Sequence, residues 1–93
     1  MNLSKHRLRC VKIMDTYDAI RNRLLELLEI NQISIYKLSI DSAVSASTIK
    51  NILYGKSHNP GIVTLKMLCD GFGISLIEFF DTPVFRNLEQ EIK

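Results

Sequence analysis

Residues 34–55 read SIYKLSIDSAVSASTIKNILYG, and this stretch decides the fold. Ser34 can cap a short helix that ends near Asp41. Ser45 can cap a second helix of about residues 46–54. Two short helices joined by a turn of about three to four residues form a helix-turn-helix, a geometry that projects the second helix outward.

The two faces of the second helix differ in composition. An apolar seam between the helices would consist of Leu38, Val44, Ile49 and Ile52. The opposite face carries only small or polar side chains, namely Ala46, Ser47, Lys50 and Asn51. From the sequence alone, a face that simply contacts solvent is the simpler interpretation for Lys50 and Asn51, and a binding surface is the alternative.

Further helices are predicted on both sides of this pair. Asp15 can cap a helix over about residues 16–29, with Asn31 available to end it. Apolar residues from Ile62 to Phe72 mark a fourth helix. Ser75 and Glu78 form a capping-box pair that opens a fifth helix, Leu76 to Phe80, which Asp81-Thr82-Pro83 breaks.

No useful β-period alternation appears, so the sequence predicts an all-α fold of five short helices. We expect a basic extension at residues 1–15, a helix-turn-helix domain at 16–82, and a tail or short helix at 83–93. Val84, Phe85, Leu88 and Ile92 have helical spacing and could pack on the domain or pair with a second copy.

Composition excludes several function classes. The 93 residues are 46% apolar and 24% charged, and no apolar run reaches the roughly 18 residues of a membrane span, so we expect a cytoplasmic protein. Cys10 and Cys69 lack zinc-site spacing and are interpreted as free thiols. No nucleophile with a base, paired carboxylates or metal cluster is visible. We therefore expect neither an enzyme nor a cofactor or metal.

The net charge of +2 is small, but the positive charge is concentrated in residues 1–12 and 34–59. The first segment contains Lys5, Arg7, Arg9 and Lys12 without any acid. It could be an arm that reaches a DNA duplex. Alternatively, Met14 could be the true start, with the preceding residues a misassigned extension.

Several short motifs follow one another across residues 17–80. They are LSIDSAVSASTI at 38–49, NILYGK at 51–56, NP at 59–60, TL at 64–65, FGIS at 72–75 and EF at 78–79. In order and spacing they resemble the phage repressor/Cro (XRE-type) helix-turn-helix family. The resemblance implies a five-helix lambda-repressor-like domain. Ser39 stands where the family favours Ala, and Ala43 stands where it usually has Gly, at a cost of up to about 1 kcal/mol if the turn is left-handed.

The resemblance also implies that the third helix enters the DNA major groove. The matching base-contact positions are Ala46, Ser47, Lys50 and Asn51. Their chemistry agrees, because Asn can bond adenine bidentately, Lys can donate to guanine, and a methyl group suits thymine. Phosphate contacts are expected from helix starts and the following loop, at Ser34, Tyr36, Lys37, Ser45, Thr48, Lys56, Ser57, His58 and Asn59.

Three of these residues have simpler interpretations. Ser34 and Ser45 can cap their helices and contact phosphate together. His58 has no second ligand at metal spacing, so a metal role is not expected. Tyr54, next to this set, more often covers the core edge than reaches a phosphate.

The expected function is sequence-specific binding of double-stranded DNA as a transcriptional repressor. One domain reads a short half-site, so a homodimer on a palindromic operator is expected. The alternative is a module of the same fold whose main partner is a protein, such as the antitoxin of a toxin-antitoxin pair.

Overall fold

The computed structural model describes residues 13–92, and six helices form within them. They are α1 Thr16–Asn31, α2 Ile35–Ser42, α3 Ala46–Leu53, α4 Ile62–Phe72, α5 Leu76–Phe80 and α6 Pro83–Arg86. The all-α prediction is confirmed. The predictions for the basic arm Lys5 to Lys12 and for Cys10 lie outside the described residues.

Side-chain caps explain where four helices begin. The side chains of Asp15, Ser34, Ser45 and Ser75 each accept a hydrogen bond from the backbone N–H three residues later. At α5 the cap is reciprocal, because the Glu78 carboxylate also accepts from the Ser75 N–H at 3.0 Å. The predicted starts of these four helices are therefore confirmed.

The end of α1 differs from the prediction by two residues. α1 continues to Asn31 because the next residue, Gln32, takes the left-handed conformation (φ 53°, ψ 46°) that ends it. Asn31 instead uses its side-chain amide to donate to the Leu27 carbonyl at 2.8 Å. After α5, Pro83 does more than break a helix, since it occupies the first turn of α6, where proline needs no N–H partner.

One core joins the first five helices. The predicted seam residues Leu38, Val44, Ile49 and Ile52 are all buried. Leu24 of α1, Leu68 of α4 and Phe79 of α5 complete the centre of the same cluster. Cys69 is a free thiol in this core, and its burial, together with the nearby Asp70 charge, raises its pKa. It therefore packs as a small apolar residue.

The turn between α2 and α3 is left-handed at Ala43 (φ 61°, ψ 21°). The preceding Ser42 is buried, and its hydroxyl accepts from the Val44 N–H at 3.2 Å. α2 packs closely against α4 at this point, because a Cβ added to Gly71 would lie only 2.8 Å from the Ser42 Cβ. The turn thus combines a strained alanine with a close helix approach that only glycine permits.

The C-terminal residues return to α1. Phe85 of α6 packs its ring 4.9 Å from that of Phe80, measured between centroids. The Glu89 N–H donates to the Met14 carbonyl at 2.9 Å. α6 ends at Arg86, and its Phe85 packs on the domain. The domain boundary at residue 82 stays a prediction.

No helix among the described residues has the length and apolar character needed to cross a membrane.

Candidate nucleic-acid interface

α3 has one buried face and one exposed polar face. Ile49, Ile52 and Leu53 are inside the core. The exposed side carries Ser47, Thr48, Lys50 and Asn51, and Ala46 is half-buried at its edge. The four predicted base-contact residues therefore lie on one eight-residue helix, and three of them are exposed.

The first turn of α3 is organised by Ser45 and Thr48. The Ser45 hydroxyl accepts from the Thr48 N–H at 3.1 Å and donates to the Thr48 hydroxyl at 2.9 Å. Because Thr48 accepts the proton of Ser45, its own hydroxyl proton is left to donate elsewhere. Both side chains are exposed at a helix N-terminus, where an anion is favoured.

The start of α2 contributes a second group of predicted phosphate contacts. Ser34 caps the helix by accepting from the Lys37 N–H at 3.0 Å, and Tyr36 is 70% exposed. Lys37 forms an ion pair with Asp41, 2.9 Å between Nζ and Oδ1, which the sequence analysis did not anticipate. Such an exposed pair on one helix contributes only about 0.3–0.5 kcal/mol, so Lys37 can exchange it for another anion.

The loop after α3 folds back on the helix. The N–H groups of Lys56 and Ser57 both donate to the Asn51 carbonyl, at 3.0 and 2.9 Å. Gly55 permits this reversal with φ of 89°. Lys56 and Asn59 are exposed, and Ser57 is half-buried. The loop therefore keeps its polar side chains beside the C-terminal end of α3.

His58 is more constrained than the sequence suggested. Its ring stacks on Tyr17 of α1, with centroids 4.6 Å apart and planes 8° from parallel. Its Nε2 lies 2.6 Å from the Gly55 carbonyl, which can only accept, so Nε2 carries a proton. The Nε2 proton is therefore used within the loop and is not available to a phosphate.

Two α1 side chains, neither of them among the predicted site residues, hold the C-terminus of α3. The Tyr17 hydroxyl donates to the Ile52 carbonyl at 2.6 Å. Arg21 Nε donates to the Leu53 carbonyl at 2.6 Å. Helix C-termini leave carbonyls in need of donors, but no local pattern indicates which distant side chain supplies them.

Lys50 and Lys56 are exposed, and neither takes part in the ion pairs found within residues 13–92. Tyr54 is 63% exposed, so the interpretation that it covers the core edge is wrong. The described residues contain no group of three His, Cys, Asp or Glu side chains placed to hold a metal ion. The polar side of α3 and its flanks is thus suited to binding an anionic polymer.

Comparison with known proteins agrees with this geometry. The crystal structure of the prophage Lp1 protein 11 superposes with a TM-score of 0.70 and 25% sequence identity, covering 82% of this chain and all of that one. No curated protein matches the sequence. The model of the Cro/C1-type helix-turn-helix DNA-binding domain matches residues 23–83, the greater part of the sequence. The chain therefore belongs to the Cro/C1-type helix-turn-helix family of DNA-binding transcription regulators.

Proposed function

We propose that the protein is a sequence-specific repressor that inserts α3 into the major groove of double-stranded DNA. The observation that carries the proposal is the polar face of α3, where Lys50 and Asn51 are exposed while Ile49, Ile52 and Leu53 on the opposite face are buried in the core. Asn51 can accept from and donate to adenine, and Lys50 can donate to guanine. Ser47 and the methyl group of Ala46 lie one turn earlier and would complete the base contacts.

Phosphate contacts on both sides would set the position of α3 on the duplex. We assign them to the α2 start (Ser34, Tyr36, Lys37), the α3 start (Ser45, Thr48) and the following loop (Lys56, Ser57, His58, Asn59). The charge of Lys56 would contribute most. Lys37 would first have to give up its ion pair with Asp41, and the Nε2–H of His58 already donates to the Gly55 carbonyl. These contacts give affinity that depends on salt without specifying sequence.

We propose repression because a domain bound over a promoter excludes polymerase without any further contact. An eight-residue reading helix covers only a short half-site, so useful affinity needs two copies. A homodimer on a palindromic operator is the arrangement that this requirement favours. The proposed activity is binding, without catalysis.

Selection of bound sequences from a random duplex library, at two salt concentrations, tests the proposal. We expect a palindromic motif whose binding survives the higher salt concentration. Recovery of no motif, with all binding lost as salt rises, would contradict sequence-specific regulation.

A protein-binding role, such as that of an antitoxin, is the second candidate. The apolar surface formed by Ile77 with the half-buried Leu76 and Phe80 favours it, since Ile77 is 79% exposed. Co-purification of a second protein with the wild type, and its loss from the Ile77→Asp variant, would support this role. A homogeneous single-chain preparation with a defined DNA motif would count against it.

A further inference from the structure

We propose that Tyr17 and Arg21 are positioning residues that set the angle of α3 and thereby the DNA sequence preference. Neither residue is among the proposed DNA contacts. The inference rests on the proposed function, because an angle matters only if α3 reads bases.

The two side chains act on consecutive carbonyls. Tyr17 and Arg21 are four residues apart on α1, so they project from one face about one turn apart. They donate to the carbonyls of Ile52 and Leu53, each at 2.6 Å. Arg21 also places a positive charge at the negative end of the α3 dipole. In addition to the buried contacts of Ile49, Ile52 and Leu53, two adjacent hydrogen bonds restrain the tilt of α3 more tightly than one would.

Tyr17 connects the same helix end to the phosphate-contacting loop. The His58 ring stacks on the Tyr17 ring, and His58 Nε2 donates to the Gly55 carbonyl. A single α1 side chain therefore contacts both α3 and the loop that contains Lys56 and Asn59. Movement of Tyr17 would change the base-reading and phosphate-binding groups relative to each other.

Small angular errors matter at this length. An eight-residue helix is about 12 Å long, so a tilt of about 5° at its C-terminus moves the other end by about 1 Å. The end that moves carries Ala46 and Ser47, and a displacement of about 1 Å takes the Ser47 hydroxyl out of the donor–acceptor range of about 2.7–3.2 Å that a hydrogen bond to a base edge needs. Loss of either donor is therefore expected to reduce discrimination between DNA sequences.

α1 also supplies a matched control. Arg23, two residues after Arg21, uses Nε to donate to the Phe79 carbonyl at 2.8 Å and a terminal nitrogen to donate to the Glu78 carbonyl at 3.0 Å. It thus makes the same type of contact with the end of α5, a helix outside the proposed DNA surface. The two arginines contact different helices, and Arg23 in addition forms an ion pair with Glu26.

The test compares Tyr17→Phe, Arg21→Met and Arg23→Met with the wild type. Tyr17→Phe keeps the ring that stacks on His58 and removes only the donor, so the fold should persist. The readouts are the melting temperature and the affinity ratio between the duplex selected by wild type and a scrambled duplex. A ratio cancels the general loss of affinity that removal of a positive charge causes.

We expect Tyr17→Phe and Arg21→Met to lower the affinity ratio about fivefold to tenfold, the equivalent of one lost hydrogen bond. Arg23→Met should lower the melting temperature and leave the ratio within about twofold of wild type. Arg21→Lys, which keeps a charged donor, should recover part of the ratio.

Two outcomes would overturn the inference in distinguishable ways. If wild type discriminates but Tyr17→Phe and Arg21→Met discriminate equally well, or if Arg23→Met loses as much as Arg21→Met, the positioning role is wrong and the proposed function stands. If wild type itself binds both duplexes equally, the proposed function fails, and this inference fails with it.

Discussion

The helices α3 and α5 begin and end with the same kinds of contact, but they expose different side chains. α3 and α5 both begin at a serine cap, and α1 side chains hold the last carbonyls of each. The outer face of α3 presents Ser47, Lys50 and Asn51 to solvent. At the other end, Phe79 is fully buried and packs against Phe80 and Phe85.

This difference separates stability from recognition. Substitutions in the α5 end should reduce the free energy of unfolding and change DNA binding only through the folded fraction. Substitutions on the outer face of α3 should change DNA binding while stability stays constant. Both helices share the carbonyl contacts with α1, so the proposed DNA surface depends on the side chains that α3 exposes.

Phe79→Ala should have the largest effect on stability. The side chain is fully buried, and the Arg23 guanidinium carbon lies 5.9 Å from the centroid of the Phe79 ring. Truncation of a buried Phe costs about 3–5 kcal/mol, a large part of the stability of a domain of this size. Urea unfolding would measure the loss, with Tyr36→Ala on the exposed face of α2 as a control expected to stay within about 0.5 kcal/mol. A similar loss in both variants would contradict the assigned core.

Gly71→Ala should be next, because it affects the helix contact that supports the α2–α3 turn. The new Cβ would lie 2.8 Å from the Ser42 Cβ, so α2 and α4 must separate. Overpacking of this kind costs about 1–3 kcal/mol. Ser42→Gly removes the opposing Cβ but leaves the Ser42 N and Cα, each 3.1 Å from the new Cβ, so the double variant should recover part of the loss. Strictly additive losses in the double variant would show that contact with the Ser42 Cβ is not the cause.

Ala43→Gly should stabilise the protein, because glycine adopts the left-handed conformation of the turn without a Cβ penalty. The expected gain is about 1 kcal/mol, or about 4–8 °C in Tm. Gln32→Gly, at the other left-handed non-glycine position, should act in the same direction. A lower Tm for Ala43→Gly would refute the turn geometry.

Lys56→Ala should have the smallest effect, a flatter salt dependence of DNA binding. Loss of one phosphate contact reduces the slope of log affinity against log salt by about one unit, uniformly across sequences. Lys66→Ala on α4 removes a lysine that is paired with Asp70, and it should leave the slope unchanged. Equal slopes for Lys56→Ala and wild type would exclude Lys56 from the phosphate contacts.

Much of the fold could be predicted because its signals are local. The helix bounds were predicted to within a few residues from the caps and from the apolar spacing between them. The caps are Asp15, Ser34, Ser45 and Ser75. The contacts that hold α3 could not be predicted, since Tyr17 and Arg21 lie 35 and 32 residues from their partners. Helical spacing along α1 does not reveal that the acceptor of the Tyr17 hydroxyl is a carbonyl of α3.

The candidate site shows the same limit. Exposure of Ser47, Lys50 and Asn51 follows from helix periodicity, which is local. The Lys37–Asp41 ion pair could also have been predicted, because lysine and aspartate four residues apart lie on one face of a helix. The stacking of His58 on Tyr17 depends on how the loop returns to α1, which no sequence pattern encodes.

The most direct test of base reading by α3 is a double-mutant cycle between Asn51→Ala and each base pair of the selected duplex. We expect a coupling of about 1–3 kcal/mol at one base-pair position and near zero elsewhere, with the melting temperature of the variant unchanged. An equal loss of affinity on every duplex would contradict base reading by Asn51 and with it the proposed role of α3.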